Sequence, residues 1–154
     1  MRKEQLDEMD LNILKILQKA SNTSYRLIQK ELGISIGTIH NRISKLKSEN
    51  GGPIEGYTLK LDNVKLGYEL TFLIRIQIDG KYTDMILEEI RSKPEVCAIY
   101  HTTGEQSAAL ICRFKKAEDV HKFIRTLNEK EQVTRTISDM VLKTYKNSSF
   151  VEIE

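Results

Sequence analysis

At 154 residues, with 24 basic against 22 acidic side chains and a formal net charge of +2, the chain is long enough for one large domain or two small ones, neither of which would bury much core alone. The near balance excludes a globally basic surface, so affinity for a polyanion has to come from local placement and from assembly. No apolar run reaches the length of a membrane span and residues 1–5 (MRKEQ) are followed by no apolar h-region, so the chain is expected to be cytoplasmic.

The charge excess is local. Residues 1–57 hold nine basic and seven acidic side chains, whereas residues 58–154 hold fifteen of each. In the first segment, Asp7 or Asp10 can cap a helix whose Met9, Ile13, Ile16, Leu17 and Ala20 line one face. A second short helix, Tyr25 to Leu32, is opened by Ser24 and turns Leu27, Ile28 and Leu32 inward. Gly33 supplies the turn, since glycine accepts the left-handed backbone that ends many helices. Ser35 then caps a third helix with Ile36, Ile39, Ile43 and Leu46 on one stripe. Its other face carries Thr38, His40, Asn41, Arg42, Lys45 and Lys47, with no acidic residue from Ile34 to Ser48. Such a face suits a polyanion, and Asn, Arg and Thr can hydrogen-bond base edges; a solvated surface is the plain alternative. Helix, glycine turn and polar-faced helix form a helix-turn-helix pattern. Residues 50–57 (NGGPIEGY) carry turn chemistry consistent with a small wing.

Residues 58–67 read as a linker with room for a short strand. From there the periodicity changes to two. Leu70, Phe72, Ile74, Ile76 and Ile78 alternate with Thr71, Leu73, Arg75, Gln77 and Asp79, which is a strand. A helix from about Thr83 to Ser92 stops before Pro94. Strands follow over Val96–Thr102 and Ala108–Phe114, then a helix over Glu118–Asn128 and a long strand from Val133 to Tyr145. The order strand-helix-strand-strand-helix-strand is the split βαβ, ferredoxin-like arrangement. The fold is therefore expected to be α+β, a winged helix-turn-helix head over residues 1–57 and a ferredoxin-like βαββαβ domain over 68–146, with a tail over 147–154. Both helices cover one sheet face; the other, together with Phe150, Val151 and Ile153, needs cover, which a second copy would provide, the alternative being a tail that folds back on its own domain.

Cys97 and Cys112 have no C-x-x-C spacing or adjacent histidine and are expected as buried free thiols. His101 and His121 fit no ligand pattern. There is no P-loop, nucleophile elbow, metal-spaced His/Glu pair or G-x-G-x-x-G, so neither enzyme activity nor a cofactor is expected, although a ferredoxin-like fold alone excludes neither.

Residues 6–14 (LDEMDLNIL), Gly33 to Ser35, Arg42, Ile43, Leu46, and Ile54 to Tyr57 together resemble the heads of the Lrp/AsnC (leucine-responsive, feast/famine) regulators. Pro94 to Val96, Thr103–Gly104 and Thr134 to Thr136 are similar to that family's sensor motifs, in the right order over essentially the whole length. The resemblance implies a transcriptional regulator that binds duplex DNA, forms dimers and often tetramers or octamers, and in many members responds to amino acids. DNA contacts are then expected from Ser35, Thr38, His40, Asn41, Arg42 and Lys45. An effector site is expected around Tyr82, Gly104, Ser107, Thr134 and Thr136, the two threonines also being ordinary strand residues. Two departures stand out. Residues 50–57 run two residues longer than the family's Gly-Val-Ile-Lys-Gly-Tyr, with Glu55 in place of a basic residue. Gly104 to Ser107 (GEQS) replaces Gly-Asp-x-Asp, so Ser107 stands where the family places an ammonium-binding aspartate. The competing reading is a metabolite-sensing or protein-interaction module whose head no longer binds DNA strongly.

Overall fold

Asp7 opens the first helix, α1 (Glu8–Lys19), through a capping box: its carboxylate accepts from the Asp10 N–H at 2.8 Å, and the Asp10 carboxylate accepts from the Asp7 N–H at 3.3 Å. The chain is described here by a computed structural model covering residues 6–148 and 151–153. Ser24 caps α2 (Tyr25–Leu32), which ends at Gly33 with φ 70°, the left-handed conformation expected for that turn. Ser35 caps α3 (Ile36–Leu46) by accepting from the Thr38 N–H at 3.1 Å.

These helices share a small core of Ile13, Leu17, Ile28, Ile39, Ile43 and Leu46, edged by Met9, Leu14, Ile16, Leu32, Ile34 and Ile54. Three residues expected inside lie outside it. Leu27 is 58% exposed and Ile36 41% exposed, and Ala20 is exposed. In an eight-residue helix the Ile28–Leu32 pair defines the buried side, and Leu27 lies a hundred degrees off it. Ile36, in the first turn of α3, is only partly covered by the described residues.

After α3 the chain makes a 3-10 turn, Ser48–Asn50, and closes on itself through one parallel bridge between Lys47 and Ile54. The Ser48 N–H donates to the Ile54 carbonyl and the Ile54 N–H to the Leu46 carbonyl, both at 2.8 Å. The wing segment is this single-bridge loop.

The second unit begins with β1 (Leu70–Ile78) and continues through α4 (Thr83–Arg91), β2 (Val96–His101), β3 (Ala108–Phe114), α5 (Ala117–Asn128) and β4 (Val133–Met140). The four strands form one antiparallel sheet in the order β2-β3-β1-β4, as the βαββαβ order requires. Ile74, Ile76, Ile78, Leu110, Cys112 and Phe114 face Ile86, Ile90, Val120, Phe123 and Leu127 of the two helices in a single core. Burial pushes the Cys112 thiol up to about 12. Cys97, expected to be buried as well, is exposed at a register shift in β2, with Arg113 Nη1 3.6 Å from its sulfur.

On the other sheet face, Leu73 lies between Ile111 and Asp139, and Arg75 between Ala109 and Ile137. Arg75 Nη2 donates to Asp139 at 2.7 Å. The last strand ends at Met140 and not at Tyr145. Its sole neighbour β1 starts at Leu70, and after the Val141 N–H bonds the Thr71 carbonyl at 2.9 Å no partner backbone remains.

The described residues up to Lys60 and from Lys146 form one compact unit, and Leu61–Tyr145 form the other. The tail expected at a subunit contact belongs to the first unit, where the Gln18 amide donates to the Val151 carbonyl at 3.0 Å; Phe150 lies outside the described residues.

Gly52 sits so close to the end of α3 that a Cβ would collide with the Leu46 backbone. Gly52→Ala is therefore expected to destabilise the intact chain by more than about 1 kcal/mol, because the backbone itself must move; equilibrium urea denaturation followed by helical ellipticity reads the shift.

Candidate DNA interface and effector site

The buried stripe of α3 decides which of its residues face outward. With Ile39, Ile43 and Leu46 turned to the core, Thr38, His40, Asn41 and Lys45 are exposed along the opposite side. The Ser35 hydroxyl is shared between the Thr38 N–H and the Thr38 hydroxyl, 2.9 Å away, and so fixes the first turn. The His40 ring packs edge-on against Tyr25, with centroids 6.3 Å apart, which steadies the imidazole between α2 and α3. No acidic side chain lies on this helix, and only Lys45 adds charge to its last turn.

Arg42 differs from the other expected contact residues in having side-chain partners on α1 and its cap. It lies three residues after Ile39 and four before Leu46, on the rim of the buried stripe, with its side chain 30% exposed. Its Nη1 donates to both oxygens of Asp7, at 2.8 and 2.7 Å, and to Asp10 at 2.7 Å. The guanidinium lowers the Asp7 pKa below the ordinary carboxylate range, and the two carboxylates raise that of Arg42. A lowered carboxyl stabilises the folded head above the ordinary carboxylate range, and this contribution is lost as pH falls through the lowered value. Sequence reading missed the role of Asp7 and Asp10 beyond capping. The signal was present in the position of Arg42 within the apolar repeat.

Two of the expected effector residues, Ser107 and Thr134, bond the far end of β1. The Ser107 hydroxyl accepts from the Ile78 N–H at 2.9 Å and donates to the Ile78 carbonyl at 3.2 Å. It therefore continues the β1–β3 pairing one step beyond its backbone ladder. Thr134 sits at a bulge in β4 and donates its hydroxyl to the Gln77 carbonyl at 3.3 Å. Gly104, at φ 124°, turns the β2–β3 loop, which is closed by the Thr102 hydroxyl donating to the Gln106 carbonyl at 2.7 Å. Tyr82 packs against the core beside the same strand end, its N–H bonded to the Asp79 carbonyl at 2.8 Å. Thr136 pairs with Ile76, further along the sheet, and its hydroxyl is buried without a hydrogen-bond partner. The loop's carboxylate, Glu105, pairs with Arg135 at 3.1 Å. Among the described residues no group of His, Cys, Asp and Glu could hold a metal ion, and no helix is long and apolar enough to cross a membrane.

Residues 6–50 match the model of a winged helix-turn-helix DNA-binding domain, and residues 71–151 that of the Lrp/AsnC ligand-binding domain. The chain belongs to the Lrp/AsnC family. A helix-turn-helix transcriptional regulator of Pyrococcus abyssi is 40% identical to it, over 96% of this chain and 99% of that protein. Escherichia coli AsnC superposes with a TM-score of 0.85 at 26% identity, covering 95% of this chain and 98% of that one. A Neisseria meningitidis regulator solved with L-methionine shares the fold at 24% identity, with a TM-score of 0.88 and coverage of 96% and 97%. The protein is thus a DNA-binding transcriptional regulator built from an Lrp/AsnC head and ligand-binding domain.

Proposed function

We propose that the protein reads operator DNA as a dimer or larger assembly, with α3 lying in the major groove. The observation that carries this is the outward, acid-free face of α3, where Thr38, Asn41 and Lys45 follow Ser35 along one side and His40 flanks them. Thr38 and Asn41 are of types that hydrogen-bond base edges, and Lys45 is placed to neutralise phosphate. Two copies are needed because one short helix reads few bases and the chain's net charge is small. The sheet face carrying Leu73, Ile111 and Ile137 supports pairing of two sensor domains. In this reading the protein works in the cytoplasm and catalyses nothing.

Lys45→Ala is expected to weaken binding evenly across sequences and reduce the salt dependence by about one phosphate contact. Asn41→Ala should cost about 1–3 kcal/mol and relax the preference at one base position. Fluorescence anisotropy on duplexes selected from a random-sequence pool separates the two patterns, and equal affinity of all variants for every duplex would overturn the reading. Light scattering on the same samples should return at least a dimer at micromolar concentration; a monomer would contradict the proposed assembly.

The effector reading differs from that of the methionine-bound relative. Here the Ser107 hydroxyl is engaged with Ile78 and the Glu105 carboxylate with Arg135. An α-ammonium group placed beside Ser107 would meet a neutral hydroxyl there and no carboxylate, and losing a charge-assisted bond costs roughly 1 kcal/mol or more. A ligand here would be neutral or anionic beside Ser107, held by backbone N–H groups around Gly104; otherwise concentration and assembly alone set the response. Calorimetric titration with the twenty standard amino acids is expected to show no micromolar binding. Micromolar affinity for any of them would overturn this assignment.

A further inference from the structure

Arg42 lies at the centre of the DNA-reading helix, yet it is bound to the first turn of α1. Its Nη1 meets three carboxylate oxygens within 2.8 Å, and Asp10, 19% exposed, is the more enclosed of its two partners. A phosphate approaching this guanidinium would also approach Asp7 and Asp10, and like charges repel it. The brace has a mechanical consequence. Three buried residues, Ile39, Ile43 and Leu46, hold α3 against the core, and Ile36 in its first turn is left exposed. So narrow a stripe resists sliding better than rolling. An ion pair on its rim, tied to a capped helix terminus, opposes roll.

We infer that Arg42 serves DNA recognition as a positioning residue, its pairing with Asp7 and Asp10 setting the rotation of α3 and thereby the direction in which Thr38, Asn41 and Lys45 point. This rests on α3 being the DNA-facing helix. Arg42 itself contacts neither base nor phosphate.

The two roles predict opposite signs. Asp7→Asn and Asp10→Asn keep the side-chain oxygens that cap α1, since asparagine caps as well as aspartate, while removing the charges that hold Arg42. In the intact protein, with a duplex selected from a random pool by the wild type as probe, the double Asn variant and Arg42→Ala should each bind about tenfold more weakly. Adding Arg42→Ala to the double variant should cost little further, because one interaction has been removed twice. The salt dependence should match wild type in all of them, as no phosphate contact is lost. If Arg42 touches DNA, the double variant instead binds as tightly as wild type or more tightly, and Arg42→Ala lowers the salt slope; either result overturns the inference.

Exchanging the partners, Arg42→Asp with Asp10→Arg, guards against simple loss of folding. It should bind better than Arg42→Asp alone, and failure to do so also overturns the inference. A wild-type protein that selects no duplex would instead bring down the reading of α3, and this inference with it. Indifferent Arg42 variants beside a binding wild type bring down the inference alone.

Discussion

Everything the head presents depends on the burial of one narrow stripe of α3. Ile39, Ile43 and Leu46 are the part of this helix that leaves water, each contributing roughly 1.5–3 kcal/mol. Their insertion between α1 and α2 determines that Thr38, Asn41 and Lys45 point away from the protein. Ser35 starts the helix at a defined residue, and Gly33 turns the chain so that α3 crosses α2. Capping, turn and stripe therefore act on the same variable, the orientation of a short polar surface.

The sensor unit follows a different constraint. Its sheet is covered by α4 and α5 on one face and carries Leu73, Ile111, Ile137 and the Arg75–Asp139 pair on the other. β1 is the hub: it is central, it pairs with both β3 and β4, and its last residues receive the side chains of Ser107 and Thr134. Replacing backbone pairing by a serine hydroxyl at Ile78 closes the end of the sheet. It also engages both hydrogen-bonding capacities of the Ser107 hydroxyl with one residue of β1. The Lys130–Glu89 pair, at 2.6 Å, ties the end of α5 to α4 over the covered face.

Most of the architecture was legible because it is written in short-range patterns. The 3-4 spacing of the head and the strict alternation from Leu70 to Ile78 each report one face of one element, and strand order follows from element order in a βαββαβ chain. The misplacements have a common origin. Leu27 is apolar but off the buried side of its helix, and Ile36 is in phase with its stripe; whether an apolar residue is covered depends on a neighbour the pattern does not contain. The overlong β4 is the same case, since a strand lasts only as long as its partner, and Tyr145 has none. Cys97 lies in an apolar run but at a register shift, where the backbone turns it out of the core.

The sequence by itself determined the helix-turn-helix head, the one-sided sheet and the acid-free reach from Ile34 to Ser48, because caps, turns and periodicity act between residues a few positions apart. Only the tertiary structure decided which groups Arg42 and Ser107 bond. Arg42 meets Asp7 and Asp10 across more than thirty positions of sequence, and Ser107 meets Ile78 across twenty-nine. At such separations the side chain alone leaves its role open: a guanidinium suits phosphate or carboxylate equally, and a hydroxyl suits a ligand or a strand end. The fold settles the partner by bringing it within 3 Å, because a hydrogen bond depends on distance and direction as well as on chemical type.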